Sequence, residues 1–332
     1  MRDAHADLTV VDGLQYSNWD RPIFEEMSRG GIAGIHATIA IWEGTRAALS
    51  VIGFWNRMFR EHADILMPGR SAEDIVQAKA LGKTAIVLGS QNGSIFEDDL
   101  DLVQIFHDLG VRIVQLTYNI QNLIGGSCYE PTDSGLTRFG RNVVAEMNRV
   151  GMLVDLSHVG ERTAFAAIDA SRRTVAITHA NPSSMFPHPR NKSDDLLRAL
   201  AANGGVLGLS PYPHLTGKDW SLADWCDMAK RTVDMIGIDH VAIGSDSSRQ
   251  WTDDDLMWIR MGRWTYEPDY GAGTKDHPGW LPWPDWFRTP ADFPNLTSGL
   301  FAAGFDRTEV QAIVGGNWLR LFGDAFRPES AA

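Results

Sequence analysis

Two histidines and an aspartate follow short apolar runs in this chain: DLSHV carries His158, ITHAN carries His179 and GSDSS carries Asp246. Neutral imidazoles on neighbouring strand ends can converge on one borderline divalent ion such as Zn²⁺. A carboxylate beside them can take a proton from water and hand it to a leaving group. The blander readings have weight. A single histidine at a strand end is more often a hydrogen-bonded core residue, and SDSS is also turn-like. Two imidazoles at the same height on adjacent strands favour the chemical reading. In HPRN, Arg190 has the fork that pairs bidentately with a substrate carboxylate, and Asn191 beside it is a further candidate contact.

Other candidates are weaker. His36, His188, His214 and His240 are less well placed, and His5 and Asp7 precede the first apolar run, which predicts a structural role at the opposite end of the fold. Cys128 in GGSCYEP is an isolated thiol. The sequence shows no Gly-rich phosphate loop, serine nucleophile elbow or CxxC pair.

The elements that must position these groups are eight β-rich runs: 8–13, 32–40, 84–90, 111–118, 151–158, 174–180, 204–212 and 240–247. Most are near-continuously apolar, as parallel strands covered on both faces must be. Amphipathic stretches separate them, and LTRFGRNVVAEMNRVG shows helix grammar, with Thr137 as N-cap and Gly151 past the end. The alternation predicts a (β/α)8 TIM barrel; a doubly wound open sheet is the rival. The polar residues Gln91, Tyr118, His158, His179 and Asp246 close their runs, and in a barrel those ends share one mouth. Residues 1–325 are expected to form this one domain and 326–332 a flexible tail. The stretch 251–293, with Trp251, Trp258, Trp264, Trp280, Trp283 and Trp286, reads as a lid-like insertion, an intersubunit surface or a local aromatic core.

The 332 residues carry a net charge of −12, which argues against nucleic acid or an anionic membrane as partner. Two cysteines make no disulfide framework and point to a reducing compartment. No basic-then-apolar leader opens the chain, so a cytoplasmic location is expected.

These runs together resemble the membrane (renal) dipeptidase family, peptidase family M19 of the amidohydrolase-like barrels. The resemblance spans roughly Leu8 to Phe322. It is densest in LGVRIVQLTYN, SGLTRFGRNVVAEMNRVGMLVDLSHV, ITHANPSS, RNKSDDLLRALAANGGVLGL and DHVAIGSD. It implies a two-metal site that cleaves small dipeptides. A His-x-Asp on the first strand and a bridging Glu on the third hold one metal. That Glu and histidines from the fifth and sixth strands hold the other. A fourth-strand His, an Arg and an eighth-strand Asp serve the substrate.

Carried over, the resemblance assigns His158 and His179 as metal ligands, Arg190 to the substrate carboxylate and Asp246 to proton transfer. It departs elsewhere. Leu14 and Tyr16 in VVDGLQYSNW stand at the His-x-Asp, Gln91 at the bridging Glu and Tyr118 at the fourth-strand His. Neutral side chains there cannot offset two dications. The expectation is therefore a remodelled site with at most one divalent metal, Zn²⁺ by preference, on His158, His179 and Gln91, or no metal at all. Tyr118 would act as a catalytic donor to an oxyanion, and Tyr16 would bind substrate. The substrate expected is a dipeptide or N-substituted amino acid, split at an amide or other C–N bond, and a homodimer is expected. A non-catalytic ligand-binding protein and a metal-free lyase or isomerase on the same barrel are the alternatives.

Overall fold

The computed structural model describes residues 2–217, 219–262 and 281–328. Part of the tryptophan-rich stretch, 263–280, and the last tail residues, 329–332, lie outside the described residues.

The strands are β1 (Val10–Ser17), β2 (Ile32–Thr38), β3 (Leu66–Pro68), β4 (Thr84–Ser90), β5 (Val111–Gln115), β6 (Leu153–Asp155), β7 (Ala176–Ile177), β8 (Val206–Leu209), β9 (Val241–Ile243) and β10 (Ser247–Arg249). They form one parallel sheet in the order β10-β1-β2-β4-β5-β6-β7-β8-β9, with β3 beside β4. β9 and β10 are two halves of one run. β9 bonds to β8 and β10 bonds to β1, so the ring closes through a broken last strand. The chain is a (β/α)8 barrel, and each of the eight runs contains a strand. β3 is an addition; three residues are too few to show a period.

The helices pack their apolar faces on the outside of the ring. The helix Arg138–Val150 shows the sequence logic directly. Thr137 accepts from Gly140 N–H at 2.9 Å, and Gly151 ends the helix at φ 84°, where a side chain would be strained. At the bottom, Trp318 donates its indole N–H to Ile243 O at 2.8 Å and stacks on Phe322, which stacks on Phe326. His5 belongs to that end too, bonded to Thr297 and to Gly30 O, while Asp7 pairs with Arg307.

Beneath the mouth the barrel is polar. Asp12 accepts from Ser245 N–H at 2.6 Å, the Ser245 hydroxyl at 2.5 Å and Gln15 at 2.8 Å. The middle of β1 is thereby stitched to the break in the last strand. That break has little room: a Cβ on Gly244 would lie 1.7 Å from Thr178 O and 3.2 Å from His179 Cα. Gly244→Ala is expected to cost roughly 2 kcal/mol or more, because the clash is with backbone and cannot be relieved by a rotamer. A urea midpoint unchanged by this substitution would mean that the two strand ends are not packed this closely. Among the described residues, no helix is long and apolar enough to cross a membrane.

Candidate functional site

The carboxyl ends of the strands enclose a cavity of about 30 Å³, lined by Tyr16, Gln91, Tyr118, Asn119, Tyr129, His158, His188, Arg190, Tyr212, His214, Leu215, Asp246 and Ile259. They come from the ends of β1, β4, β5, β6, β7, β8 and β9 and the loops that follow, as barrel mouths are built. His179 stands directly behind this wall and is fully buried.

The imidazoles meet: His158 Nε2 and His179 Nε2 are 3.1 Å apart. Their outer nitrogens fix the protons. Asp155 accepts from Ser157 N–H and hydroxyl and from Thr178 N–H and hydroxyl, at 2.6–3.0 Å. With its one proton given to Asp155, the Thr178 hydroxyl must accept from His179 Nδ1–H, 2.8 Å away. His158 Nδ1 lies 2.5 Å from Asn119 Oδ1, an acceptor. With Asn119 Oδ1 turned toward His158, both rings carry their proton on Nδ1, and both Nε2 lone pairs face the same point. Two lone pairs at this separation need a positive charge between them. A proton is disfavoured, because burial first, and then the Arg190 charge, hold both imidazoles well below the usual histidine range.

Arg190 donates to Ser157 O and, at 3.1 Å, to His179 O, which braces the ends of β6 and β7 while its guanidinium remains part of the cavity wall. Asp246 occupies the strand break with φ 55°, in the left-handed region that Asp and Asn tolerate better than most residues. Burial lifts its carboxyl to about 7, against the pull of Arg190 and with help from Asp12 and Asp155. That value suits a group that both takes and gives a proton near neutrality.

Aromatic rings shape the rest. Tyr118 stacks on His158 at 4.1 Å between centroids and meets Trp42 edge-on at 5.0 Å. Tyr16 is hydrogen-bonded to Tyr212 and Ser248 and packs edge-on against Trp251 at 4.7 Å. Burial pushes the phenols of Tyr16, Tyr118 and Tyr212 upward, so they remain protonated donors across neutral pH. Leu14 is fully buried in an apolar cluster with Tyr16, Ile41, Trp42, Tyr118, Ile120 and Ile259.

The sequence-derived candidates Tyr16, Gln91, Tyr118, His158, Arg190 and Asp246 thus share one cavity, with His179 at its back. Asn191 does not line it. Its amide donates to Phe186 O and Leu215 O, and its oxygen accepts from Asn181 N–H, so the side chain holds loops in place. His188 and His214, less well placed by sequence, do line the cavity, as do Tyr212 and Asn119, which no sequence signal singled out. Lone imidazoles and amides in loops carry no periodicity to find them by. Of the tryptophan-rich stretch, Trp251 and Ile259 pack at the mouth and Trp283 lies 5.5 Å from Tyr212. Among the described residues, no group of three or more His, Cys, Asp or Glu side chains is gathered around a potential metal position.

Known proteins resemble this chain closely. The sequence model of the family described as membrane dipeptidase (peptidase family M19) matches residues 15–252. Dipeptidase aclJ of Aspergillus oryzae is 29% identical over 85% of this chain and 62% of its own length. Dipeptidase tcpJ of Claviceps purpurea is 30% identical over 83% of this chain and 59% of its own. The chain thus spans about three-fifths of the length of these relatives. Among solved structures, an amidohydrolase from Pseudomonas aeruginosa superposes with a TM-score of 0.92 at 38% identity, covering 98% of both chains. A metallo peptidase from Rhodobacter sphaeroides, liganded with a phosphinate mimic of the dipeptide L-Ala-D-Ala, has a TM-score of 0.79 at 20% identity over 96% of this chain and 99% of its own.

Proposed function

We propose, from the premise that this chain belongs to the membrane dipeptidase family, peptidase family M19, that it hydrolyses an amide or related C–N bond in a small carboxylate-bearing molecule. The substrate class is a dipeptide or N-substituted amino acid. The names of the fungal relatives and the dipeptide mimic bound to the Rhodobacter neighbour support that class.

The observation that carries the proposal is the pair of Nε2 lone pairs aimed at one point beneath a raised carboxyl. Two nitrogen ligands of one tetrahedral Zn²⁺ sit roughly 3.3 Å apart, close to the 3.1 Å between His158 and His179. One divalent ion fits this donor set, with Gln91 of the same cavity wall as a neutral candidate to complete it. Two ions do not fit. Leu14 is apolar, Tyr16 and Gln91 are neutral, and among the described residues Asp246 is the one carboxylate in the cavity wall, too little charge for two dications.

When bound, such an ion would polarise the substrate carbonyl and ease ionisation of water. The chain's own groups do the rest. Arg190 holds the substrate carboxylate. Asp246 takes a proton from the attacking water and delivers it to the departing nitrogen, as the carbon–nitrogen bond breaks. Tyr118 and Tyr16 donate to the carbonyl oxygen as it gains charge. The cavity has room for little more than water, so Tyr212 and the Trp251–Ile259 roof must part to admit substrate. Exposed Met257 and Trp258 on that roof support a homodimer contact, which light scattering tests.

Protein purified without chelator is expected to hold about one equivalent of Zn²⁺ or a similar ion, and to lose both it and turnover on chelation. Elemental analysis alongside a panel of dipeptides and N-acyl amino acids tests this. Turnover by metal-free protein would favour the lyase or isomerase reading. Tight ligand binding with no turnover would favour a binding protein.

A further inference from the structure

The side-chain amide of Asn119 is left over by the chemistry above. Asn119 is fully buried at the centre of a three-residue turn, closed by Ile120 N–H donating to Tyr118 O at 2.6 Å, with φ 55°. A γ-turn of this hand is rare and strained, and such strain collects at ligand clamps and active sites. Its Oδ1 is occupied by His158 Nδ1 at 2.5 Å, with Cys128 Sγ 4.0 Å away on the same oxygen. Its Nδ2 has no partner. Other buried groups without partners, such as Gln15 Oε1 and His36 Nε2, do not line the mouth. Among the described residues with a fully buried side-chain atom that lacks a partner, Asn119 is the one that lines the cavity.

The amide cannot simply be turned round without consequence. With Nδ2 toward His158, that ring would have to move its proton to Nε2 and donate it to His179. The lone-pair convergence described above would then be lost. The two features are linked: the tautomer that opens a cation site between the imidazoles is the one that leaves the Nδ2 donors of Asn119, a residue of the cavity wall, without a partner.

We propose that Asn119 binds the carbonyl oxygen of the substrate through Nδ2, while its Oδ1 holds His158 in the Nδ1–H tautomer. The proposal rests on the amide-hydrolase reading. Arg190 supplies the charge for a carboxylate, whereas a neutral amide donor next to His158 suits a neutral carbonyl at the reacting centre. A buried donor of this kind discriminates by chemistry: a ligand whose acceptor is weak leaves it unpaired.

The test has two measurements. Long-range ¹H–¹⁵N correlation spectra of the protein as purified, with its metal retained, are expected to show His158 protonated at Nδ1. Calorimetry is expected to show N-acetylalanine bound about tenfold or more tighter than N-thioacetylalanine, in which sulfur replaces the carbonyl oxygen. Asn119→Ala should lower that ratio several-fold, leaving the part that the ion and the tyrosines supply. So should Asn119→Asp, which keeps an acceptor for His158 and tolerates the same backbone. A His158 proton at Nε2, or a preference that neither substitution lowers, overturns the proposal alone. Failure of the wild-type protein to bind either compound overturns the amide-hydrolase reading and this proposal with it.

Discussion

Asp246→Asn is expected to lower kcat/KM by about 10²–10⁴-fold and, in chelator-washed protein above pH 7, to make the fold more stable. Both effects come from the same burial. The carboxyl of Asp246 is raised to about 7, by desolvation before anything else. In the unfolded chain it ionises near 4. Between those values the folded protein keeps a proton that the unfolded chain has released. Stability contributed by this group is therefore full below about pH 4 and falls as pH rises through about 7. Asparagine cannot ionise, so it removes that loss, which is on the order of 1–3 kcal/mol once solvent access to the cavity is allowed for. The residue also tolerates φ 55° as aspartate does, so no new backbone strain opposes the gain. Urea midpoints at pH 5 and pH 8 check this: the advantage of the variant should grow with pH. The wild-type rate should rise with pH as the carboxylate forms, with an apparent pKa at or below about 7, because a bound dication draws the carboxyl down. Activity of the variant within a few-fold of wild type would exclude the proton-transfer role.

That prediction depends on a strand break that sequence alone does not reveal. The eight runs are legible because strands buried on both faces must be apolar throughout, and GSDSS marks where the last one turns polar. Nothing in those letters says that the strand divides, with β9 serving β8 and β10 serving β1, or that Asp12 stitches across the gap. Nor does the pattern distinguish Arg190, which faces the cavity, from Asn191, whose polar atoms are spent on backbone. Adjacent residues in a loop have no fixed faces, so spacing carries no orientation. The histidine pair was legible for the opposite reason. Strand ends in a closed ring are held at one height, and the apolar runs before His158 and His179 set that height. What the sequence leaves out there is the protonation. It follows only from Thr178 and Asn119, through bonds made across the barrel.

Rebuilding the missing carboxylates tests the charge argument most severely. In the combined variant Leu14→His, Tyr16→Asp and Gln91→Glu, bound metal is expected to rise from about one ion per chain to about two, because two anionic ligands then offset the second dication. Without metal the same variant should be markedly less stable. Leu14 and Tyr16 belong to an apolar cluster with Ile41, Trp42, Tyr118, Ile120 and Ile259. A histidine and a carboxylate placed in it without partners cost several kcal/mol. The melting temperature should therefore fall in the chelated protein and recover when metal is restored, and this recovery should exceed that of the wild type. Elemental analysis after reloading, paired with thermal unfolding, reads both effects. If the variant folds, yet its stoichiometry and its response to metal match the wild type, the ends of β1 and β4 do not face the point between the imidazoles. The neutral residues there would then be no explanation for a single-ion site.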